Sequence, residues 1–520
     1  MKRKWTIPVL SVALAALSWA PAATAQDLVV GWAENADTLN PVTTAQRNIG
    51  PVMSNIFDTL VWLTPTFEVE PLLAEKWTVS ADGLVYTFDL RKGVTFHDGT
   101  PFDAAAVVAN IGYITDEKTQ SKISIGLLGP CRTAEATAQY QVKITCSKPY
   151  AALLPQLGEP YLGIQSPKAI AEYGADLGQH PVGTGPFKFV SWQPSQSIVV
   201  ERFAAYDWMA PSLKHKGPAD IARIVFQIVP NAQARVSQFQ SGQSQVMQQT
   251  PGLYWKTLGA SGRFNAFPVP ISGLGIFSPI NASRFPLDDV RVRRAVMHAI
   301  DRTGVIQLAE AGVYPVSKVP LTEGMLGYDP SLGDAYPYDP EKAMALLREA
   351  GWTRTGATWE KDGKTLSIKL TAIADKAHYM ALAQAMQGYL SAIGIDARLE
   401  PMSSPAWTAA NIAGEMQMTA LQYIAVDPDA LRFWFAPDQF FNWSHWSDPA
   451  FTALLDKAVA TQDPAVRAGI YKAAQKMLLD NAVIYPLRQN LDLTMAAKNV
   501  TGITWSGGGF QYFGAARIGK

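Results

Sequence analysis

The stretch Pro71-Leu-Leu-Ala-Glu-Lys-Trp-Thr-Val-Ser-Ala-Asp-Gly-Leu-Val-Tyr-Thr-Phe-Asp-Leu-Arg-Lys-Gly-Val-Thr-Phe-His-Asp-Gly-Thr-Pro-Phe-Asp103 reads as one hairpin unit followed by a helix start. Leu84, Tyr86, Phe88 and Leu90 alternate with Val85, Thr87 and Asp89, a period of two that predicts a strand with one buried face. Asp82-Gly83 before it and Arg91-Lys92-Gly93 after it are turn chemistry, since glycine accepts a positive φ without a Cβ clash. A second short strand is expected over Val94–His97, stopping at Asp98-Gly99. Asp103 then stands as the N-cap of a helix over Ala104–Ile111.

Outward from this unit, the N-terminus reads as an export signal. Lys2-Arg3-Lys4 is a basic start, Ile7 to Trp19 a short apolar core, and Ala23-Thr24-Ala25 a cleavage site, so residues 1–25 form a leader and Gln26 begins the mature chain. No cysteine follows the cleavage site to carry a lipid, and no later run is long and apolar enough to cross a bilayer. Three of the 44 basic residues fall in the leader, which leaves 41 against 44 acidic ones. This near-neutral balance offers no field for nucleic acid or for anionic lipid. Residues 26–520 exceed what one ordinary core holds, so two or more domains are expected.

Cys131 and Cys146 are the only cysteines and flank a polar turn at Ala134–Gln139. In an oxidising compartment such a pair is expected to bridge, with two free buried thiols as the alternative. Zinc lacks a third and fourth ligand nearby.

The first half alternates short strands with Gly/Pro turns: Leu28–Trp32, a turn at Pro181–Pro186 leading into a strand, Ile198–Arg202 and Ile221–Ile228. The second half is richer in helices opened by acidic caps. These are Asp288-Asp289 before Val290–Ile300, then Asp339-Pro340, Asp448-Pro449 and Asp463-Pro464. Strands at Leu366–Thr371 and Ile395–Glu400 fall between them and predict a mostly parallel sheet flanked by helices. One boundary is expected near Phe264–Pro279, with a return crossing near Ile484–Asn490.

Four blocks in this order resemble the extracytoplasmic solute-binding proteins, family 5, the peptide, opine and nickel class that feeds ABC importers. They are the 71–108 block, Gly183-Thr184-Gly185-Pro186-Phe187, Asp288 to Arg302, and the pair Tyr338–Trp352 and Met380–Ile395. The resemblance implies an α/β fold of two lobes joined by two crossing strands. Lobe I would be 26–265 plus 488–520, with 60–180 as its extra subdomain, and lobe II would be 266–487. It further implies a periplasmic monomer that closes on a peptide or peptide-like solute in the cleft and presents it to an inner-membrane ABC permease. Opines, oligosaccharides and nickel chelates are the alternative ligands. No cofactor is implied, and neither nucleic acid nor membrane insertion is part of the picture.

The same resemblance points to Leu421–Asp429 and Leu431–Phe435 as cleft-lining, with Tyr423, Asp427 and Trp434 as candidates. Dipeptide-binding members carry an aspartate for the ligand amine ahead of the Asp-Pro-Asp run. Here that place falls near Ile424 and holds no acid. Where they carry an arginine-tyrosine pair, this chain has Asp375, Lys376 and His378. Trp443, His445 and Trp446 crowd one loop, Trp255 lies near the first crossing, and Glu34 and Asn35 follow the first strand. Flat rings suit apolar ligand faces. A place in the core for the tryptophans, a cap role for Asp427, and a plain turn at Glu34-Asn35 are the competing readings. A secreted hydrolase is the rival class. The six histidines never fall at i,i+4, no Gly-x-Ser-x-Gly elbow occurs, and Gly363-Lys364-Thr365 lacks the first glycine of a phosphate loop. The expected protein is therefore not an enzyme, and no catalytic or metal residue is assigned.

Overall fold

The computed structural model describes residues 27–437 and 439–519, so the leader assigned to residues 1–25 lies outside the described residues. The quoted stretch forms Ala74–Val79 and Val85–Leu90, paired antiparallel across the turn at Ser80–Gly83. Tyr86, Phe88 and Leu90 are buried, as the alternation requires. Asp103 caps the helix Ala104–Thr115, its carboxylate accepting from the Ala106 N–H at 3.2 Å. The strand expected at Val94–His97 does not form. A tight turn at Asp98-Gly99 folds Phe96 N–H onto Thr100 O, leaving one bridge between Thr95 and Pro101. Cys131 and Cys146 form a disulfide at the base of the hairpin Thr133–Ala138 and Gln141–Thr145.

An eight-stranded sheet carries the molecule. Its order is Leu421–Ile424, Phe264–Pro279, Ile484–Ala497, Val246–Met247, Leu28–Trp32, Arg223–Ile228, Ser197–Arg202 and Phe187–Gln193. Leu28–Trp32 runs parallel to both its neighbours, and the other pairs are antiparallel. The mostly parallel sheet expected of the second half is thus confined to three short strands. Ser367–Ile373 is flanked there by Asp396–Met402 and Met418–Thr419. The helices with Asp-Pro starts form as read, over Pro340–Glu349, Pro449–Ala460 and Pro464–Asp480, each with its aspartate accepting from the first turn.

Two strands are unusually long: Phe264–Pro279 and Ile484–Ala497 pair with each other along nearly their whole length. A large core spans residues 274–487 and includes Trp359, Leu370, Phe435 and Tyr485. A second core gathers Leu28, Val30, Ile56, Phe226 and Ala496, and a third holds Tyr86, Phe88, Val142 and Ile144 of the hairpin region. The two long strands are the backbone path between the first core and the other two. Their pairing breaks at bulges between Ile271 and Phe277. Gly275 sits at this break with φ +64°, and a Cβ there would lie 2.3 Å from the Arg488 carbonyl oxygen. Gly183 serves a comparable purpose in the first half, since a Cβ would lie 2.2 Å from Ile56 O. Away from the long strands the halves touch again. The Ala151 N–H donates to Val459 O at 2.8 Å, and Gln462 Nε2 donates to Tyr86 Oη at 3.3 Å.

Candidate functional site

Between the long strands and the two halves lies a cavity of about 650 Å³. This is within the usual range for a small-molecule site, about 300–1,000 Å³. Trp32, Glu34, Arg47, Thr250 and Phe510 line one side, while Glu310, Tyr314, His378, Gln422 and Ile424 line the other. Arg488, Asn490 and Asp492 line it from the second long strand. Period-two geometry explains the contribution of Leu421–Ile424. Gln422 and Ile424 face the cavity, while Leu421 and Tyr423 turn into the neighbouring core.

Two arginines are laid on rings. The Arg47 guanidinium stands 4.1 Å above Phe510 and donates to Gly508 O. Arg488 stands 3.8 Å over Tyr314, and its Nε is 2.7 Å from Glu310 Oε2, in ion-pair contact but not aligned as an N–H···O bond. Its Nη1 donates to Gln489 O and to Asn490 Oδ1. Burial pushes the Glu310 carboxyl up against the opposing pull of Arg488. Glu159, behind Arg47, is raised to about 7 by burial, which outweighs the pull of Arg47. Burial also raises Asp492 to about 6, countered by the Gln249 N–H, the Thr494 hydroxyl and Arg47. The His378 ring lines the cavity from an exposed position at the start of its helix, where neighbouring atoms still displace part of its hydration. That desolvation, followed by Arg488 and Lys376, holds its pKa down near 4, so it is neutral at physiological pH.

Of the side chains singled out from sequence, Glu34 and His378 line this cavity. Asn35 lies outside, exposed, and accepts from the Ser195 N–H at 3.0 Å. Trp255 packs beside Phe239, Met247 and Leu258 in a small cluster of its own. Asp375 is exposed on the approach to the helix Ala377–Ala392. Tyr423, Trp434 and Trp443 pack together in the large core, Trp434 edge-on to Phe277 at 5.1 Å and to Trp443 at 5.2 Å. Trp446 covers Phe451, and His445 Nε2 lies 3.2 Å from Asn411 O. Asp427 is buried and takes two bonds from Arg467, at 2.7 and 2.8 Å. Its Oδ1 also accepts from the Asp429 N–H. None of these nine side chains lines the cavity. Rings release more free energy when surrounded by other rings than at a wet cleft wall, so the core claims them first.

Sequence reasoning missed Arg47, Glu310, Tyr314, Arg488, Asn490 and Asp492. One signal was available. Arg488-Gln489-Asn490-Leu491-Asp492 is a polar run inside an otherwise apolar strand, where an interior position rejects charge unless something meets it.

Similarity to known proteins agrees with this architecture. The model of bacterial extracellular solute-binding proteins, family 5 (middle), matches residues 68–443. The glutathione-binding protein GsiB of Salmonella choleraesuis (strain SC-B67) is 30% identical over 497 residues, covering 93% of this chain and 92% of that protein. The structure of HbpA2 from Haemophilus parasuis superposes with a TM-score of 0.83 at 26% identity, covering 95% of this chain and 100% of that one. NikA from Brucella suis, solved in complex with Fe(III)-EDTA, gives a TM-score of 0.83 at 25% identity, with 95% and 100% covered. The fold is that of the two-lobe binding proteins, and the chain belongs to the family 5 bacterial extracellular solute-binding proteins.

Proposed function

We propose that this protein is a periplasmic receptor that binds a peptide or peptide-like solute of roughly tripeptide size and delivers it to an inner-membrane ABC importer, without catalysis. Lobe I is taken as 26–265 plus 488–520, with 60–180 as its subdomain, and lobe II as 266–487. The separate cores on either side of the paired long strands support this division. One observation carries the ligand class. Charges of both signs, Arg47, Arg488, Glu310 and Asp492, converge with Asn490 on the cavity from both lobes and the second crossing strand, beside the rings of Trp32, Tyr314 and Phe510. Such charges suit a zwitterionic backbone, and two of the rings a sugar would stack on, Phe510 and Tyr314, are already covered by Arg47 and Arg488. GsiB, whose name records glutathione binding, fits the same size and charge. We place Glu34 and His378 at the ligand, together with those five residues. The remaining residues chosen from sequence are assigned to scaffold.

The test is a thermal-shift and calorimetric panel of reduced glutathione, di- and tripeptides, an opine, an oligosaccharide and a metal chelate. A native-state ligand raises Tm by mass action. Glutathione or short peptides should respond. A response confined to the sugar or the chelate would overturn the reading, and turnover of any panel member would overturn the absence of catalysis.

A further inference from the structure

Arg488, Asn490 and Asp492 occupy alternate positions of the second long strand, opposite Ile276, Ile271 and Val269, with the register break of the first long strand between Ile271 and Ile276. Alternate positions share a face, so the three form a row about 13 Å long between its end Cα atoms. The row reads cation, amide, acid.

Each end is fixed differently. Arg488 is already matched by Glu310. Asn490 is buried, its Oδ1 is taken by Arg488 Nη1, and this leaves the amide Nδ2 with no partner. The Asp492 carboxylate is drawn on by the Gln249 N–H, and its Oδ2 accepts from Thr494 Oγ1 at 3.2 Å, whereas Oδ1 is closed off from solvent and makes no hydrogen bond of its own. No cation of the described residues stands within ion-pair distance of Asp492; Arg47 acts on it only from farther away. One donor and one acceptor are thus left unanswered side by side. A buried polar atom without a partner costs about 1–3 kcal/mol. Two such atoms on adjacent same-face positions of a cavity wall form a demand that a ligand can meet.

We infer that Asp492 is the anchor for a primary ammonium of the ligand, and that Asn490 Nδ2 donates to the oxygen next to that amine, so the site selects solutes with a free amino end. The inference rests on the reading given under Proposed function. It also accounts for Ile424, which lines the same cavity and offers the ligand amine no acid, while Glu310 on that wall is taken by Arg488. The anchor has moved from the lobe II wall to the second crossing strand. The groups around Asp492 agree. Glu310 is ion-paired with Arg488 beside Tyr314, Glu159 lies behind Arg47 and outside the cavity lining, and exposed Glu34 lies near Arg235. Asp492 is the enclosed acid on the cavity lining that no cation of the described residues holds at ion-pair distance. Burial raises its pKa to about 6 against the Gln249 N–H, the Thr494 hydroxyl and Arg47. An ammonium arriving there would drive it to the charged form and expel a proton.

The experiment is calorimetry on the full chain with reduced glutathione, Ala-Ala and their N-acetyl derivatives, for wild type and Asp492→Asn, at pH 5.5 and 7.5 in buffers of different ionisation enthalpy. Wild type should prefer the free amines, and Asp492→Asn should weaken them by about ten- to a hundredfold while leaving the acetylated forms unchanged. Binding by wild type should release a proton at pH 5.5, and the variant should not. Proton release from the wild type separates this role from a purely structural one, even if the variant folds poorly. Equal affinity for free and acetylated amines, or wild-type binding without proton release, overturns the anchor and leaves the receptor reading standing. Failure of every amine, acetylated or not, beside a response to the sugar or chelate sinks both.

Discussion

Asp58 has no ion pair and is held by three neutral donors: Trp208 Nε1 at 2.8 Å, Thr184 Oγ1 at 3.1 Å and Tyr206 Oη at 3.2 Å. Burial nonetheless raises it to about 7, against these three bonds and distant Arg91. Between the unfolded value of 3.8 and about 7 the folded chain holds a proton that the unfolded chain has released. The stabilisation from this group is therefore complete below pH 4 and is lost as the pH rises through 7. Urea titrations of wild type and Asp58→Asn at pH 4.5, 5.5, 6.5 and 7.5 should show the wild-type advantage shrinking steadily upward. An advantage that grows with pH would contradict it. Residues of this kind were invisible in the sequence, because an isolated aspartate carries no sign of three donors arriving from positions 184, 206 and 208. Asp427 shows the same limit. It was singled out as an acid in a suggestive motif, yet its partner, Arg467, stands forty positions away and turns it into a buried ion pair.

Local elements were far easier to read. Asp103, Asp339, Asp448 and Asp463 cap the helices their spacing announced, since a cap needs only its own first turn. The alternation of Tyr86, Phe88 and Leu90 gave a buried face for the same reason. Val94–His97 failed because two turns closed upon it within nine residues and left no partner strand. The hairpin carrying Cys131 and Cys146 was legible as a unit, and its bridge closes a loop of 15 residues. In the chain-entropy model such a bridge is worth about 3 kcal/mol. Cys131→Ser with Cys146→Ser should lower the unfolding free energy by about that amount, read by denaturant titration. Ligand affinity should stay unchanged, because the hairpin stands apart from the cavity lining. An affinity loss without a stability loss would show that the hairpin takes part in recognition.

At the scale of the whole molecule, the sequence indicated two crossings and left the cavity walls open. Glu310, Asn490, Arg47 and Phe510 come from four distant segments, and no local periodicity says which strand face meets a gap. The halves also meet away from the cavity lining. Ala151 to Val459 and Tyr86 to Gln462 join the halves far along the chain from the long strands. Val459 is half-buried against the core that holds Tyr86. Val459→Asp should place a charge against that apolar surface and favour separation. X-ray scattering should then give a larger radius of gyration for the ligand-free variant than for wild type, with Tm nearly unchanged. Saturating wild type with its ligand should give the smallest value. Identical scattering in all three states would mean the halves do not part.

The mutual pairing of the long strands has one more consequence. Two ribbons zipped edge to edge resist sliding past one another but fold readily across their flat face, and the broken register around Gly275 supplies the crease. On the receptor reading, the halves move by a single swing, like a book on its spine, and a guest held between the pages meets Asn490 and Asp492 on the spine itself.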